Sequence, residues 1–546
     1  MKHTIIFISL ILLLASCIEK EKSQSISKPK DIVVAAHYFA SEWPKTFWQE
    51  FEEKDVEGDF QQIKNDGFNT LIFVVPWVGF ETNFNQDMTT SNPWMYKRLS
   101  FLVEKAVQLG FNYILRVGFP HDFTPETGTN IIQLCTNIYT DEAYKKKWKD
   151  FLKKIYEATK KYRNNSDGIL VSWEDFWCPH FVLPNLPINN RIKLAQDIGY
   201  SEWLLSQDTN KVKLILGVNE LDESQIAIPS KEEMSYLYYL EYIDMKFDEL
   251  ILNSTKEIFP EAAMEIRVDK DPILNSSGKT VWIEHDLHFD EENHRGTYWA
   301  PFWGAQNKGE LLSAKESLAN FEYFLKTVTN SNQSNNHVIE QFNFTDNTPY
   351  FPNNAEINSN EIDEFLLDTV PLLKKYSSGY GLWAYRDYAD NGLYNSSFEY
   401  GLHGWDISGD VELIEYTGEN KIKLSKDSNI SQLYNPFERH MLFSSYKELI
   451  FCLDSEQEAN LTLLLNEKEK KLELKEGNSC HTVDISKQEK TTHFKFKVTS
   501  DEDIIIDNMK LYGFVQRLKV YDEFGKESLY LDSIRKMNRE FIRNVE

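Results

Sequence analysis

The chain is 546 residues long, more than one ordinary domain needs, and its 41% hydrophobic and 26% charged content suits globular protein with a sizeable core. A formal net charge of −26 excludes a nucleic-acid partner, because phosphate binding needs a basic footprint. The five cysteines have no metal-site spacing, which argues against a zinc-organised fold.

Residues 1–17 read as an address rather than as fold. Lys2 supplies positive charge, Ile5 to Leu14 is a short apolar run, and Leu14-Ala-Ser-Cys17 follows. That tetrapeptide resembles the lipobox of bacterial lipoproteins. The resemblance implies cleavage before Cys17, acylation of that residue, and export to a bacterial membrane, with the outer membrane or cell surface as the expected site. The apolar run itself is too short for a bilayer span. Residues 18–30 read as a charged tether. Export permits disulfides, so Cys452 and Cys480, which share one later region, can pair. Cys135 and Cys178 read as buried small apolar residues.

After the tether, apolar strands alternate with amphipathic helices. Strands are expected at Asp31–Phe39, Thr70–Trp77, Tyr113–Phe119 and from Gly168 toward Trp177, with helices at Val56–Asp66, Leu99–Leu109 and Asp141–Tyr162. The phrase Gly-Phe-Asn recurs between helix and strand at Gly67 and Gly110, where glycine suits a helix C-cap with positive φ. Helices follow at Arg191–Leu205 and Lys231–Ile258, then strands at Ala263–Val268 and Thr280–His288. Helix Ser313–Thr329, strand His337–Phe344, helix Asn360–Tyr376 and strand Gly379–Tyr385 complete the series. Eight such strands, near-continuously apolar and separated by helices, predict a closed (β/α)₈ TIM barrel over residues 31–390. The run Lys213-Leu-Ile-Leu-Gly-Val-Asn-Glu220 competes for a place in the sheet. It would make a ninth strand, and it reads instead as part of a helical insertion with a surface turn.

From residue 391 to 524 the pattern changes to short alternating runs with polar turns, which predicts an antiparallel β-sandwich. Asn395-Ser-Ser-Phe-Glu near its start, Gly404-Trp405 and Ile506-Asp-Asn-Met-Lys-Leu-Tyr512 near its end resemble the ends of jelly-roll carbohydrate-binding modules. Such a domain either binds sugar or serves as a structural lid, since fold does not fix function. Residues 525–546 read as a helix of mixed charge packed against one of the domains.

Two strands become acidic where they end. Gly168-Ile-Leu-Val-Ser-Trp-Glu-Asp-Phe-Trp177 carries Glu174 and Asp175 between tryptophans, and His337-Val-Ile-Glu-Gln-Phe-Asn-Phe344 carries Glu340. Adjacent strand residues point to opposite sides, so only one of Glu174 and Asp175 can face a cleft. Carboxylates from two strand ends of one barrel are the groups glycosidic bond cleavage requires. One protonates the leaving oxygen and the other meets the charge that develops at the anomeric carbon. The barrel resembles clan A glycoside hydrolases, among them the family 42 β-galactosidases and family 5 cellulases. In that clan the acid/base Glu ends strand four, the nucleophile Glu ends strand seven, and a strand-eight Trp floors the sugar site. Glu174, Glu340 and Trp383 stand at those places. The resemblance implies a retaining hydrolase of poly- or oligosaccharides that uses no cofactor.

The chain departs from the clan at Trp173, where Asn usually precedes the acid/base. It also lacks the strand-two Arg; Arg116 on strand three either replaces it or pairs an acid. His37, His285 and His288 are further candidates for sugar hydroxyls or for orienting Glu340. Glu284, inside its strand, reads as structural, and His285-x-x-His288 lacks a third metal ligand. Trp77, Trp177 and Trp299 are either stacking platforms for sugar or loop packing, in a chain that is 14% aromatic. Tyr385 closes the candidate list. A transglycosylase would use the same carboxylates, and a polysaccharide-binding lipoprotein would have lost their geometry.

Overall fold

The computed structural model describes residues 32–543 apart from 82–92, 119–130, 172–177, 267–272, 275–279, 282–293, 333–336, 348–353, 435–446, 486–493 and a few shorter stretches. Eight parallel strands close into a barrel: β1 (Val33–His37), β2 (Thr70–Pro76), β3 (Asn112–Gly118), β4 (Ser166–Val171), β5 (Ala263–Ile266), β6 (His294–Trp299), β7 (Val338–Phe342) and β8 (Gly379–Leu382). β8 returns to pair with β1, Val33 opposite Gly379. The interior floor is apolar, built from Val33, Ala35, Ile72, Ile114, Leu170, Ala263 and Val338.

The repeated Gly-Phe-Asn phrase works as its chemistry suggests. Gly67 and Gly110 both adopt positive φ after a helix, Phe68 and Phe111 are buried, and the asparagines stitch neighbouring strands. Asn69 Oδ1 accepts from the Val34 amide at 2.8 Å, and Asn112 Nδ2 donates to Asp167 at 3.0 Å. The contested run at Lys213 is helical, Thr209–Leu216, capped by Asp208 and ended by Gly217 with left-handed φ, and Glu220 is exposed.

Two expectations are corrected. The sixth barrel strand is His294–Trp299, not the run from Thr280; Thr280–Val281 pairs instead with Ile273–Leu274 in a small antiparallel hairpin. Cys135 and Cys178 are disulfide-bonded, with Cα atoms 5.4 Å apart. The fold brings the helix Ile131–Thr140 beside the segment that begins at Cys178, and sequence separation gave no hint of it. Cys452 and Cys480 are also bonded, across paired strands.

The sandwich has two five-stranded antiparallel sheets spanning Asp406–Tyr512, around a core that includes Phe398, Trp405, Phe451 and Phe496. It leaves the barrel after β8 and returns to it, on a stem in which Tyr388–Ala389 pairs antiparallel with Val515–Gln516. The chain then re-enters the barrel's outer ring. Helix Leu531–Ile542 packs on helix Ile362–Tyr376, Phe541 meets Tyr380 of β8, and Asn538 Nδ2 donates to the Asp66 carbonyl at 2.8 Å. A Cβ on Gly67 would come within 3.2 Å of Asn538. The sandwich is therefore an insertion between β8 and the helix that completes the ring.

Barrel and sandwich belong to one compact unit, Val33–Glu546, joined by buried polar contacts. Arg98 donates to Glu399 at 3.0 Å and to the Gln49 carbonyl at 3.1 Å. Asn391 donates to Glu50 at 2.7 Å, and Lys510 binds Glu42 and lies 3.4 Å from Glu50.

Near this seam, burial pushes the Asp507 carboxyl up to about 8, against the Asn508 amide that favours the anion, and Glu399 adds repulsion. The native state therefore keeps a proton that the unfolded chain releases near pH ~4. Stability from this group is complete below that pH and is lost as the pH climbs toward 8. Asp507→Asn still accepts from the Asn508 amide and cannot ionise. Thermal melts at pH 8 are expected to place its Tm above wild type by on the order of 5 °C, with the two coinciding at pH 4. A lower Tm at pH 8 refutes the assignment.

Candidate active site

Strand alternation decides what enters the barrel. Two residues beyond the apolar floor, toward the strands' C-terminal ends, the interior layer turns polar. Ala35 is succeeded by His37, Ile114 by Arg116, Ala263 by Glu265 and Val338 by Glu340. All four polar side chains are buried, Glu340 and Arg116 at 0% exposure.

Glu340 sits at an irregularity in β7. Val338 pairs with Gly296 and Gln341 with Tyr298, so β7 spends one more residue than β6 over that step. The same surplus occurs against β8, between Ile339 and Phe342. Such a bulge re-aims one side chain. Here Glu340 points inward while Phe342 stacks outside on Trp299 and Phe365. Room for the carboxylate comes from Gly296, where a Cβ would lie 2.8 Å from Glu340 Cγ.

The carboxylate is bracketed. Its Oε2 lies 3.5 Å from His37 Nε2, and its Oε1 lies 3.6 Å from Arg116 Nη2. His37 Nδ1 is 3.2 Å from the Leu382 carbonyl. That acceptor assigns the ring proton to Nδ1 and leaves Nε2 facing Glu340. Burial, and then the charge of Arg116, hold the His37 imidazole well below its ordinary value, so the ring is neutral at pH 7. Arg116 is forked onto Glu265, with Nε to Oε2 at 2.8 Å and Nη2 to Oε1 at 2.6 Å. Arg116 thus pairs an acid, one of the two readings expected of it, and it also stands beside Glu340.

Trp383 walls this layer. Its ring centroid is 4.8 Å from that of His37 and 5.6 Å from Arg116 Cζ. Phe39, Tyr388 and Trp43 surround it. Trp43 is half-buried and leans over Tyr388 at 5.5 Å.

The structure therefore brings together Glu340, His37, Arg116 and Trp383. Of the other aromatic candidates, Trp77 and Trp299 take the packing alternative, and Tyr385 is engaged away from Glu340. Trp77 is fully buried among Tyr144, Trp148 and Phe151. Trp299 is buried between Phe321, Phe342 and Phe365. Tyr385 donates its hydroxyl to Asp66, beside Tyr521. Cys17, Trp173, Glu174, Asp175, Trp177, Glu284, His285 and His288 lie outside the described residues. Sequence reasoning missed Glu265 and Trp43. A charge two residues past Ala263 on an otherwise apolar strand was the available signal for the first. Among the described residues no group of three or more His, Cys, Asp or Glu is placed to hold a metal, and no helix is long and apolar enough to cross a membrane.

Fold and site define the class: a (β/α)₈ barrel with a polar layer below its C-terminal rim and a β-sandwich inserted before its last helix. No family model matches the chain, and no curated protein does. Solved structures similar to it include the following three. An exo-β-1,4-mannosidase, Op5Man5 from Opitutaceae bacterium strain TAV5, is 14% identical over 68% of this chain, at a TM-score of 0.40. This chain covers 55% of that protein's length. A GH5_18 protein from Streptomyces cattleya in complex with GlcNAc is 14% identical over 66% of this chain and 72% of its own, at a TM-score of 0.43. TmCBM61, in complex with β-1,4-galactotriose, matches 23% of this chain at 21% identity, with a TM-score of 0.18.

Proposed function

We propose that the protein is a retaining glycoside hydrolase of poly- or oligosaccharides, with Glu340 as nucleophile and Glu174 as acid/base. The observation that carries this is Glu340 itself: a fully buried carboxylate aimed inward at a strand bulge, between Arg116 and His37 and beside Trp383. Removing a carboxylate from water favours its neutral form, and an adjacent guanidinium restores the anion that attack requires. In the first step a Glu340 oxygen bonds to the anomeric carbon as the bond to the leaving oxygen breaks, and Glu174 gives that oxygen its proton. In the second, Glu174 takes a proton from water, the water oxygen bonds to the anomeric carbon, and Glu340 departs. Glu174 is preferred to Asp175 on the resemblance to clan A enzymes, whose acid/base Glu ends strand four. The exported, Cys17-anchored state belongs to the same proposal and is supported by Leu14-Ala-Ser-Cys17.

An acid matters only when the leaving group is a poor one. Glu174→Gln is therefore expected to lower kcat on oligosaccharides by about 10³-fold, and to spare dinitrophenyl glycosides in the glycosylation step. Equal losses on both substrate classes remove Glu174 from the acid role. Glycan binding by wild type without turnover overturns the enzyme reading in favour of a binding protein.

A further inference from the structure

Glu265 takes no part in the two steps above, yet among the described residues it is the closest ionic partner of Arg116. The guanidinium presents one edge to it in a fork, Nε to Oε2 at 2.8 Å and Nη2 to Oε1 at 2.6 Å. The same Nη2 stands 3.6 Å from Glu340 Oε1, a full ångström longer than its bond to Glu265. Two buried carboxylates therefore compete for one nitrogen, and Glu265 holds it more closely. A forked pair fixes the plane of the guanidinium as well as its position. Without Glu265, the same edge of Arg116 would be available to fork onto Glu340. That contact would draw the carboxylate out of line and stabilise its charge, and both effects oppose attack.

We propose that Glu265 is a positioning residue that holds Arg116 back from Glu340, so that the guanidinium lends charge to the nucleophile without capturing it. The inference rests on Glu340 being the nucleophile. Among the described residues, the titratable or charged groups around Glu340 are His37 on β1, Arg116 on β3 and Glu265 behind it on β5; by strand alternation Tyr298 is the titratable residue on the inward side of β6. β2 and β8 contribute Val74 and Trp383. Glu174 and Asp175, which follow β4, lie outside the described residues. His37 is neutral at pH 7, so among the described residues Arg116 and Glu265 are the charges that bear on Glu340.

The test is Glu265→Gln, which keeps one acceptor for Arg116 and removes the opposing charge. With the aryl glycoside that wild type turns over best, kcat is expected to fall by about 10²-fold. The acid limb of the kcat/KM profile is expected to move down by about one pH unit, because Arg116 then acts on Glu340 unopposed. Glu265→Asp should restore the limb even where it leaves kcat low. A residue that merely braced the fold would lower activity in Glu265→Gln without moving the limb, and that result overturns the proposal. A second measurement is independent of turnover. The ¹³C-carboxyl resonance of Glu340, assigned by its loss in Glu340→Gln, should titrate at lower pH in Glu265→Gln. A shift in that resonance with no hydrolysis of any glycan would sink the hydrolase reading and leave the electrostatic pairing standing. An unmoved resonance sinks the pairing.

Discussion

Glu340→Ala is expected to lower kcat by at least about 10⁴-fold on every glycoside the wild type cleaves, with Tm unchanged or slightly raised. The two halves of this prediction have separate causes. Activity goes because no other described side chain presents a carboxylate to the same point; Glu265 is committed to Arg116. Stability survives because Arg116 keeps that partner, so the substitution leaves no orphaned buried charge and removes a carboxylate whose burial is itself costly. Azide should partly restore turnover by entering the space the side chain vacates, and the product should be a glycosyl azide of inverted anomeric configuration. Residual activity within tenfold of wild type, or a rescued product of retained configuration, removes Glu340 from the nucleophile's role.

Ending the chain before Leu531 is expected to abolish folding of the barrel, although the lost segment is distant in sequence from every proposed catalytic residue. Leu531, Ile534, Met537 and Phe541 are each at most 2% exposed. At roughly 1.5–3 kcal/mol for each buried side chain, their loss removes about 6–12 kcal/mol. That is on the order of a domain's whole stability of about 5–15 kcal/mol. Polar partners go too: Arg535 donates to Asp66 at 2.7 Å, and Asn538 links the Asp66 carbonyl to the Tyr380 hydroxyl. Near-UV circular dichroism and dye binding should report a loosened, dye-accessible chain. A cooperative melt of the truncated protein at wild-type Tm overturns the placement of this helix.

Local signals carried most of the fold. Helix ends marked by Gly67 and Gly110, and strands that begin directly after Phe68-Asn69 and Phe111-Asn112, were readable because each depends on a few adjacent residues. The sixth strand was not, and the reason is functional. Thr280-Val-Trp-Ile offers the short β-branched and aromatic run of a buried strand, whereas His294-Arg-Gly-Thr-Tyr-Trp299 carries a glycine that weakens its pattern. That glycine is the one that leaves space for Glu340, so the site's requirement erased the local signal. The Cys135–Cys178 bond and the role of Leu531–Ile542 were illegible for another reason: each is decided by which elements become neighbours, and periodicity does not report neighbours. Within the site, Glu340, His37, Arg116 and Trp383 could be picked from strand ends. Glu265 was hidden as a mid-strand acid, and for Trp77 and Trp299 residue type alone could not decide between stacking on sugar and packing inside.

Placing the sandwich before the final helix also bears on the order of assembly. As synthesis proceeds, all eight barrel strands are made before the sandwich, and the helix that covers Tyr380 and Gly67 emerges only after it. Until then the groove between the end of helix Glu53–Asn65 and helix Ile362–Tyr376 stands bare, an apolar seam open to solvent and to other nascent chains. Closing it joins segments separated by an entire domain, which raises contact order and slows the last step. Maturation of this protein should therefore be paced by the late arrival of one short segment, and its vulnerable intermediate should be a barrel with a single stave missing.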